Sequence, residues 1–357
     1  MKIKLAILEK DKSYLDRIVS VLSTKYSEQF EVYSFTQIDE AKKCIEQTRV
    51  DIFITSAEFD ILPEEIPAGC ALVFLSDSMT VEKINNCTAL YRYQRIDLMY
   101  QQILNVYAEH TGNITGCKIN DNCKVIIFSS PCGGTGTSCM AAACARYFSK
   151  QRKKTLYLNL EKYGTADVFF NAQGQWTMSD LIFALKSSES NFIMKFESFL
   201  RKDQKSGVYY CSGAQFALHM NELTSDDIQR LISEVTQKSN FDYVIIDMDF
   251  SLEQSALGVY RKAHNIVWVS DGSDMANSKV VRAYQAVSEC EKSEDVPFTA
   301  RICLAYNKFS NKTGYAVNGA DLRVIGGAQR FEHATTEQIL SQLVSTGIFE
   351  EILFKIN

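Results

Sequence analysis

Between Ser129 and Phe148 the chain reads "SSPCGGTGTSCMAAACARYF", directly after the apolar run "CKVIIF". An apolar strand that ends in a glycine-rich turn and opens a helix makes a nest for an anion. Backbone N–H groups converge there, and the helix N-terminus adds positive potential. Gly133, Gly134 and Gly136 permit the bend and the close approach of phosphate, and Ser138 stands where a hydroxyl can ligate Mg²⁺. Cys132, Thr135, Thr137 and Cys139 complete the loop, with Thr137 at the place where such a loop keeps its lysine. Taken alone, the glycines also fit a purely structural turn.

Three further strand ends carry chemistry. "FDYVIIDMDF" is an apolar run ending at Asp247, the form of a strand whose carboxylate holds Mg²⁺ through water, with Asp249 as a competitor for that role. "KKTLYLNLEKYGTADVFF" ends in Asn159 and Glu161, followed by Gly164, and "RICLAYNKF" ends in Asn307 and Lys308. Bland readings stand beside these. Asp247 fits an ordinary strand-end acid and Asn159 a strand-end cap. Cys132 fits either a thiol activated at a helix N-terminus or a small filler. His110, His219, His264 and His333 share no spacing and read as surface or packing residues.

The elements that must position these groups come in two series. Over the first ~110 residues, strands are predicted at "KLAIL", "FEVYSF", "VDIFIT", "ALVFLS" and "TALYRY". Helices are predicted at "KSYLDRIVSVLSTKY", "DEAKKCIEQT", "TVEKINN" and "DLMYQQILNVYAEH". A second series follows: "KVIIFSS", "KTLYLNL", "GVYYCSG", "FDYVIIDMDF", "NIVWVSD" and "RICLAYN", most of them separated by helical patterns. The alternation predicts parallel sheets wrapped by helices. The boundaries are residues 1–112 for a first domain, 113–121 for a linker and 122–357 for a second domain; the linker falls in the glycine- and asparagine-rich "TGNITGCKINDNC".

A chain of 357 residues suits two domains, and 46% hydrophobic content with four prolines argues for compact structure. A net charge of -5 argues against a generic nucleic-acid binder. No apolar run reaches the roughly 18–20 residues of a membrane span, and the start lacks the apolar core of a signal peptide. Eleven scattered cysteines without ligand spacing are expected to be reduced thiols, so a cytoplasmic location is expected. In the tail "TTEQILSQLVSTGIFEEILFKIN" the polar face is acidic, which predicts a helix packed on protein rather than on a membrane.

The first series resembles the receiver domain of two-component response regulators. Glu9 and Asp11 follow the first strand, Ser56 stands at the phospho-acceptor position, Ser76 matches the family's hydroxyl, and Arg92 is the nearest counterpart of its lysine. A serine cannot form the acyl-phosphate, so the resemblance implies a docking module without phosphotransfer. A plain α/β domain with Glu9 and Asp11 as solvated charges is the alternative.

The second series resembles the MinD/ParA family of deviant Walker A ATPases over nearly all of 122–357. Cys132 falls at the signature lysine, Thr137 at the usual loop lysine, and Asn159 and Glu161 at the two aspartates of "D-x-D-x-x-G". The resemblance implies an α/β fold of two doubly wound domains, a receiver-like (flavodoxin-like) sheet followed by a P-loop NTPase sheet. It implies ATP and Mg²⁺ as cofactors. Ser138 and Asp247 would hold the metal, Glu161 would orient the attacking water, and Asn307, with Lys308 beside it, would meet the adenine.

The combined layout resembles the TadZ/CpaE localisation proteins of Tad-type pilus assembly, which bind ATP and dimerise around it. That implies a homodimeric scaffold, at a cell pole or on the inner face of the membrane through partners, that docks pilus components or a polar landmark. Losing one preorganised stabilising donor slows comparable reactions ~10²–10³-fold. With two lysines absent, ATP is expected to bind well and hydrolyse poorly. A cycling MinD/ParA-type ATPase for division or DNA partition is the alternative.

Overall fold

The computed structural model describes residues 2–67, 69–110, 123–187, 192–291 and 298–353. The expected linker lies outside the described residues. The chain forms two compact units, residues 1–116 together with 188–198, and 117–187 together with 199–357. Residues 192–198 fall with the first unit, where Met194 packs against that unit's core.

In the first unit the order is β1 (Ile3–Leu8), α1 (Lys12–Lys25), β2 (Phe30–Phe35), α2 (Ile38–Gln47), β3 (Ile52–Ser56), β4 (Ala71–Ser76), β5 (Lys83–Ile84), β6 (Cys87–Tyr91) and α3 (Ile96–His110). The strands line up β2-β1-β3-β4-β6-β5, parallel except for β5. The central strands are apolar throughout because both faces are covered. Leu5, Ile7, Ile52 and Ile54 join Leu15, Leu22 and Ile103 on one side, while Ala6, Leu8 and Phe53 join Ala41 and Ile45 on the other.

The helix expected at "TVEKINN" is instead the β5–β6 hairpin. Asn85 (φ 50°) and Asn86 (φ 62°) form its two-residue turn, and Ile84 pairs with Cys87. Asparagine tolerates the left-handed backbone that such a turn needs, so the turn chemistry overrides the helical spacing.

The receiver-like site is closed from within. Glu9 is buried and receives the guanidinium of Arg92, which also reaches Asp77 at 3.3 Å and lies over the Tyr14 ring. Asp11 caps α1 through the Tyr14 amide at 3.0 Å. Ser56 is buried at the end of β3 and accepts from the Glu58 amide at 3.4 Å. Glu9 is therefore an internal ion-pair partner, not a solvated charge.

The second unit runs β7 (Lys124–Ser129), α4 (Thr137–Lys150), β8 (Thr155–Asn159), α5 (Met178–Lys186), α6 (Phe192–Phe199, shared with the first unit up to residue 198), β9 (Arg201–Lys202), β10 (Tyr209–Tyr210), α7 (Ser225–Lys238), β11 (Tyr243–Asp247), α8 (Gln254–Lys262), β12 (Asn265–Ser270), α9 (Asp274–Glu291), β13 (Ile302–Phe309), β14 (Arg323–Gln329), α10 (Thr336–Val344) and α11 (Glu350–Leu353). Its sheet is ordered β14-β13-β12-β7-β11-β8-β10-β9, parallel except at β9. The glycine loop leaves β7, which lies between β11 and β12. The strand order reverses there, and a doubly wound sheet opens its crevice at such a reversal.

Helix α4 carries the loop at its N-terminus, and its run Met140–Ala145 is wholly buried. One face meets the sheet, and α10 packs on the helix with Leu340 and Leu343 in the shared core. The acidic tail thus packs on its own unit, with Phe349 beside Tyr147. Among the described residues no helix is long and apolar enough to cross a membrane.

Candidate nucleotide site

Gly134 (φ 78°) and Gly136 (φ 82°) take the left-handed backbone that turns the chain from β7 into α4. At Gly136 the geometry leaves no room for a side chain, since a Cβ would lie 2.5 Å from Asn307 Nδ2. The open face of the loop forms a cleft. Cys132, Gly133, Gly134, Gly136, Thr137, Ser138, Cys139, Glu161 and Lys308 all line it, together with Ser130, Met248, Asp249 and Phe250. Thr135, Asp247 and Asn307 are buried behind this lining.

The loop is braced by its own hydroxyls and by β13. Ser130 Oγ donates to Val269 O at 2.6 Å, and the Thr135 and Thr137 hydroxyls are 3.1 Å apart. Asn307 Nδ2 donates to Thr135 O at 2.8 Å and Lys308 Nζ to Gly134 O at 2.7 Å, so neighbouring residues of one strand grip successive carbonyls of the loop. Asn307 holds loop backbone in this structure and does not line the cleft. Cys132 turns inward and donates to Ala276 O at 3.3 Å, and burial raises its thiol pKa. That is the filler reading, because a raised pKa disfavours the thiolate.

The acidic side of the site is built on two adjacent strand ends. Asp247 of β11 is fully buried and sits level with Asn159 of β8. Its Oδ2 accepts from Tyr157 Oη at 2.7 Å and from Asn159 Nδ2 at 3.2 Å, while its Oδ1 has no partner. Burial, then the nearby charge of Glu161, push the Asp247 pKa up to about 8, against the pull of the Tyr157 and Ser138 hydroxyls. Glu161 Oε2 accepts from Ser138 Oγ and from Asn159 Nδ2, each at 3.2 Å. A Cβ at Gly164 would fall 2.4 Å from Asn159 Oδ1, so the glycine after Glu161 gives this cluster its space. Asp249 faces the cleft edge and accepts from the Lys162 amide at 3.0 Å.

Two groups went unread in the sequence. Tyr157 donates to Asp247 from the same strand face as Asn159, a period-two signal inside "TLYLN". The β14 strand was hidden by its paired glycines. His219, His264 and His333 do not line the cleft: His264 accepts from Val125 N and His219 bonds Ser179. Among the described residues the cysteines are free, and no group of three His, Cys, Asp or Glu is arranged to hold a metal by itself.

The fold and the loop define the doubly wound class to which the MinD/ParA-type ATPases belong. The chain is similar to a ParA family ATPase from Chlorobium tepidum TLS at 16% identity and TM-score 0.53, covering 65% of this chain and 99% of that one. It is similar to the apo McdA structure of Cyanthece at 17% identity and TM-score 0.50, covering 66% of this chain and 100% of that one. The MinC:MinD cell division complex of Aquifex aeolicus gives 14% identity and TM-score 0.50, over 65% of this chain and 95% of that one. At these identities the likeness is one of fold.

Residues 1–108 match the family model described as "TadZ-like, receiver domain". A TadZ-like receiver followed by a MinD/ParA-type fold agrees with the TadZ/CpaE layout that the sequence resembles. No curated protein matches the chain.

Proposed function

We propose that this chain is an ATP-binding scaffold of the TadZ kind, which dimerises around Mg·ATP, gathers pilus-assembly partners and hydrolyses ATP slowly or not at all. The observation that carries this reading is the pairing of the glycine loop with a buried carboxylate that has one free oxygen. The loop amides at Gly133–Ser138 and the α4 N-terminus suit phosphate. Asp247 Oδ1, unpartnered in a fully buried carboxylate, is costly to leave so and suits a cation. The groups gathered at the cleft therefore fit Mg·ATP, with Ser138 and Asp247 on the metal side and Glu161 where it can hold a water. Mg²⁺ would neutralise charge on the phosphates.

Slow turnover follows from what the cleft lacks. The two loop positions that carry lysine in the resembled family hold Cys132, turned inward, and Thr137, bonded to Thr135. Phosphoryl transfer relies on fixed charge around the moving group. Two exposed apolar side chains support self-association: Tyr163 and Met275 are 86% and 71% exposed. Tyr163 lies two residues from Glu161 of the cleft, and Met275 is next to Ala276, whose carbonyl accepts from the Cys132 thiol.

The test is the purified full chain, assayed for co-purified nucleotide and sized before and after its removal. Bound ATP and a nucleotide-dependent dimer are expected. Failure to bind added Mg·ATP would sink the reading, and turnover matching lysine-bearing members of the class would favour a cycling ATPase.

A further inference from the structure

The loop lacks its own lysine, yet the cleft is not without a cation. Among the described residues lining it, Lys308 is the one lysine or arginine. It comes from the end of β13, and its backbone is left-handed (φ 58°), a strained state for a side-chain-bearing residue. That turn lays its stem along the bare side of the loop, where a Cβ at Gly136 would stand 3.4 Å from Lys308 Cε. The ammonium donates to Gly134 O at 2.7 Å, its one hydrogen bond among the described residues, although an ammonium has three donors. Glu161 and Asp249 line the same cleft, and neither is within ion-pairing distance of it.

We propose that Lys308 is the substitute for the missing loop lysine, supplied from a neighbouring strand, and that it pairs with the terminal phosphates of a bound nucleoside triphosphate. This rests on the nucleotide reading above and adds to it the residue that selects polyphosphate. A neutral carbonyl is a weak partner for an ammonium, and phosphate oxygens make the stronger charge-assisted bonds. In the ligand-free chain Lys308 therefore steadies Gly134, and a triphosphate draws its charge towards the loop. Asn307, its neighbour, keeps hold of Thr135 and preserves the shape of the nest.

The test compares full-length wild type, Lys308→Ala and Lys308→Arg for binding of Mg·ATP, Mg·ADP and AMP, with melting curves of the ligand-free proteins. Lys308→Ala is expected to weaken Mg·ATP about 10- to 100-fold, the worth of one hydrogen bond to a charged group, and AMP far less. Lys308→Arg should retain most of the affinity. Thr137→Lys should restore Mg·ATP binding in the Lys308→Ala background and add little to the wild type, because both cations serve the same phosphates. Unchanged Mg·ATP affinity in Lys308→Ala overturns the proposal. So does an equal loss for AMP and ATP with a lowered ligand-free melting temperature, which would make Lys308 a strap for the loop alone. Wild type that binds no Mg·ATP refutes the nucleotide reading itself, and is told apart because the variants are then irrelevant to the failure.

Discussion

Asn159 donates to Asp247 Oδ2 over 3.2 Å, and the two residues are level neighbours in the parallel ladder of β8 and β11. With Tyr157 Oη on the same oxygen, one side of the carboxylate is pinned and the other, Oδ1, is left free. The arrangement fixes the direction in which Asp247 can accept a further positive group.

Asp247→Asn keeps the shape of the side chain and removes its charge. The Mg²⁺-dependent part of nucleotide affinity is expected to fall about 10–100-fold, as for other groups that position a metal. Titrations with Mg²⁺ and with EDTA read the difference. Equal affinity in both proteins would reassign the carboxylate.

Acid and base should act on this site in a defined sense. The Asp247 pKa is raised to about 8 in the fold, above its ordinary value of 3.8. The folded chain then binds the proton more tightly than the unfolded chain does. Its contribution to ligand-free stability is full below the unfolded value and is lost as pH rises towards 8. Melting temperatures between pH 5 and pH 9 should fall less in Asp247→Asn than in wild type. A metal needs the ionised form, so Mg²⁺-dependent binding should strengthen over the same range, by at most about tenfold per pH unit.

Glu161→Gln removes the charge that helps to hold the Asp247 pKa up. The midpoint of the pH dependence of metal binding is expected to move down, while Ser138 and Asn159 keep an oxygen to bond. Any residual hydrolysis should drop as well. A midpoint that stays put would show that burial alone sets the shift.

Gly136→Ala puts a Cβ on a left-handed residue and 2.5 Å from Asn307 Nδ2. A cost of about 1–3 kcal/mol in stability is expected, together with loss of nucleotide binding as Asn307 is pushed off Thr135. Denaturant unfolding of the full chain, with and without Mg·ATP, separates the two effects.

In the first unit, Arg92→Met leaves Glu9 buried without its partner. The unit is expected to lose about 3–5 kcal/mol, and the double variant Glu9→Gln/Arg92→Met to recover most of it, since the lone charge is what costs. Thermal unfolding checks both. Single and double variants of equal stability would mean that the pair is replaceable by solvent.

What was legible in the sequence was whatever depends on near neighbours. The apolar strands, the glycine loop with its helix and the acid ending β11 all show themselves within a dozen residues. The misread "TVEKINN" was a contest between helical spacing and a two-asparagine turn, and the turn was written there in Asn85 and Asn86. Long-range pairs left no local trace. Arg92 meets Glu9 across 83 positions and Lys308 meets Gly134 across 174, and only the fold decides those partners. Tyr157 is intermediate: its place on the same strand face as Asn159 was readable, but the acid waiting opposite it was not.

Helix α4 is sandwiched between the sheet and α10, with Leu340, Leu343, Phe349 and Ile352 completing the core around it. The helix that carries the glycine loop at its N-terminus is thus finished by side chains made some two hundred positions later. On a ribosome the first unit has all of β1–α3 early, while the second must wait for residues 336–352 before its core closes. The core around the loop-bearing helix therefore closes only after the elements β1–α3 of the receiver-like module have been made.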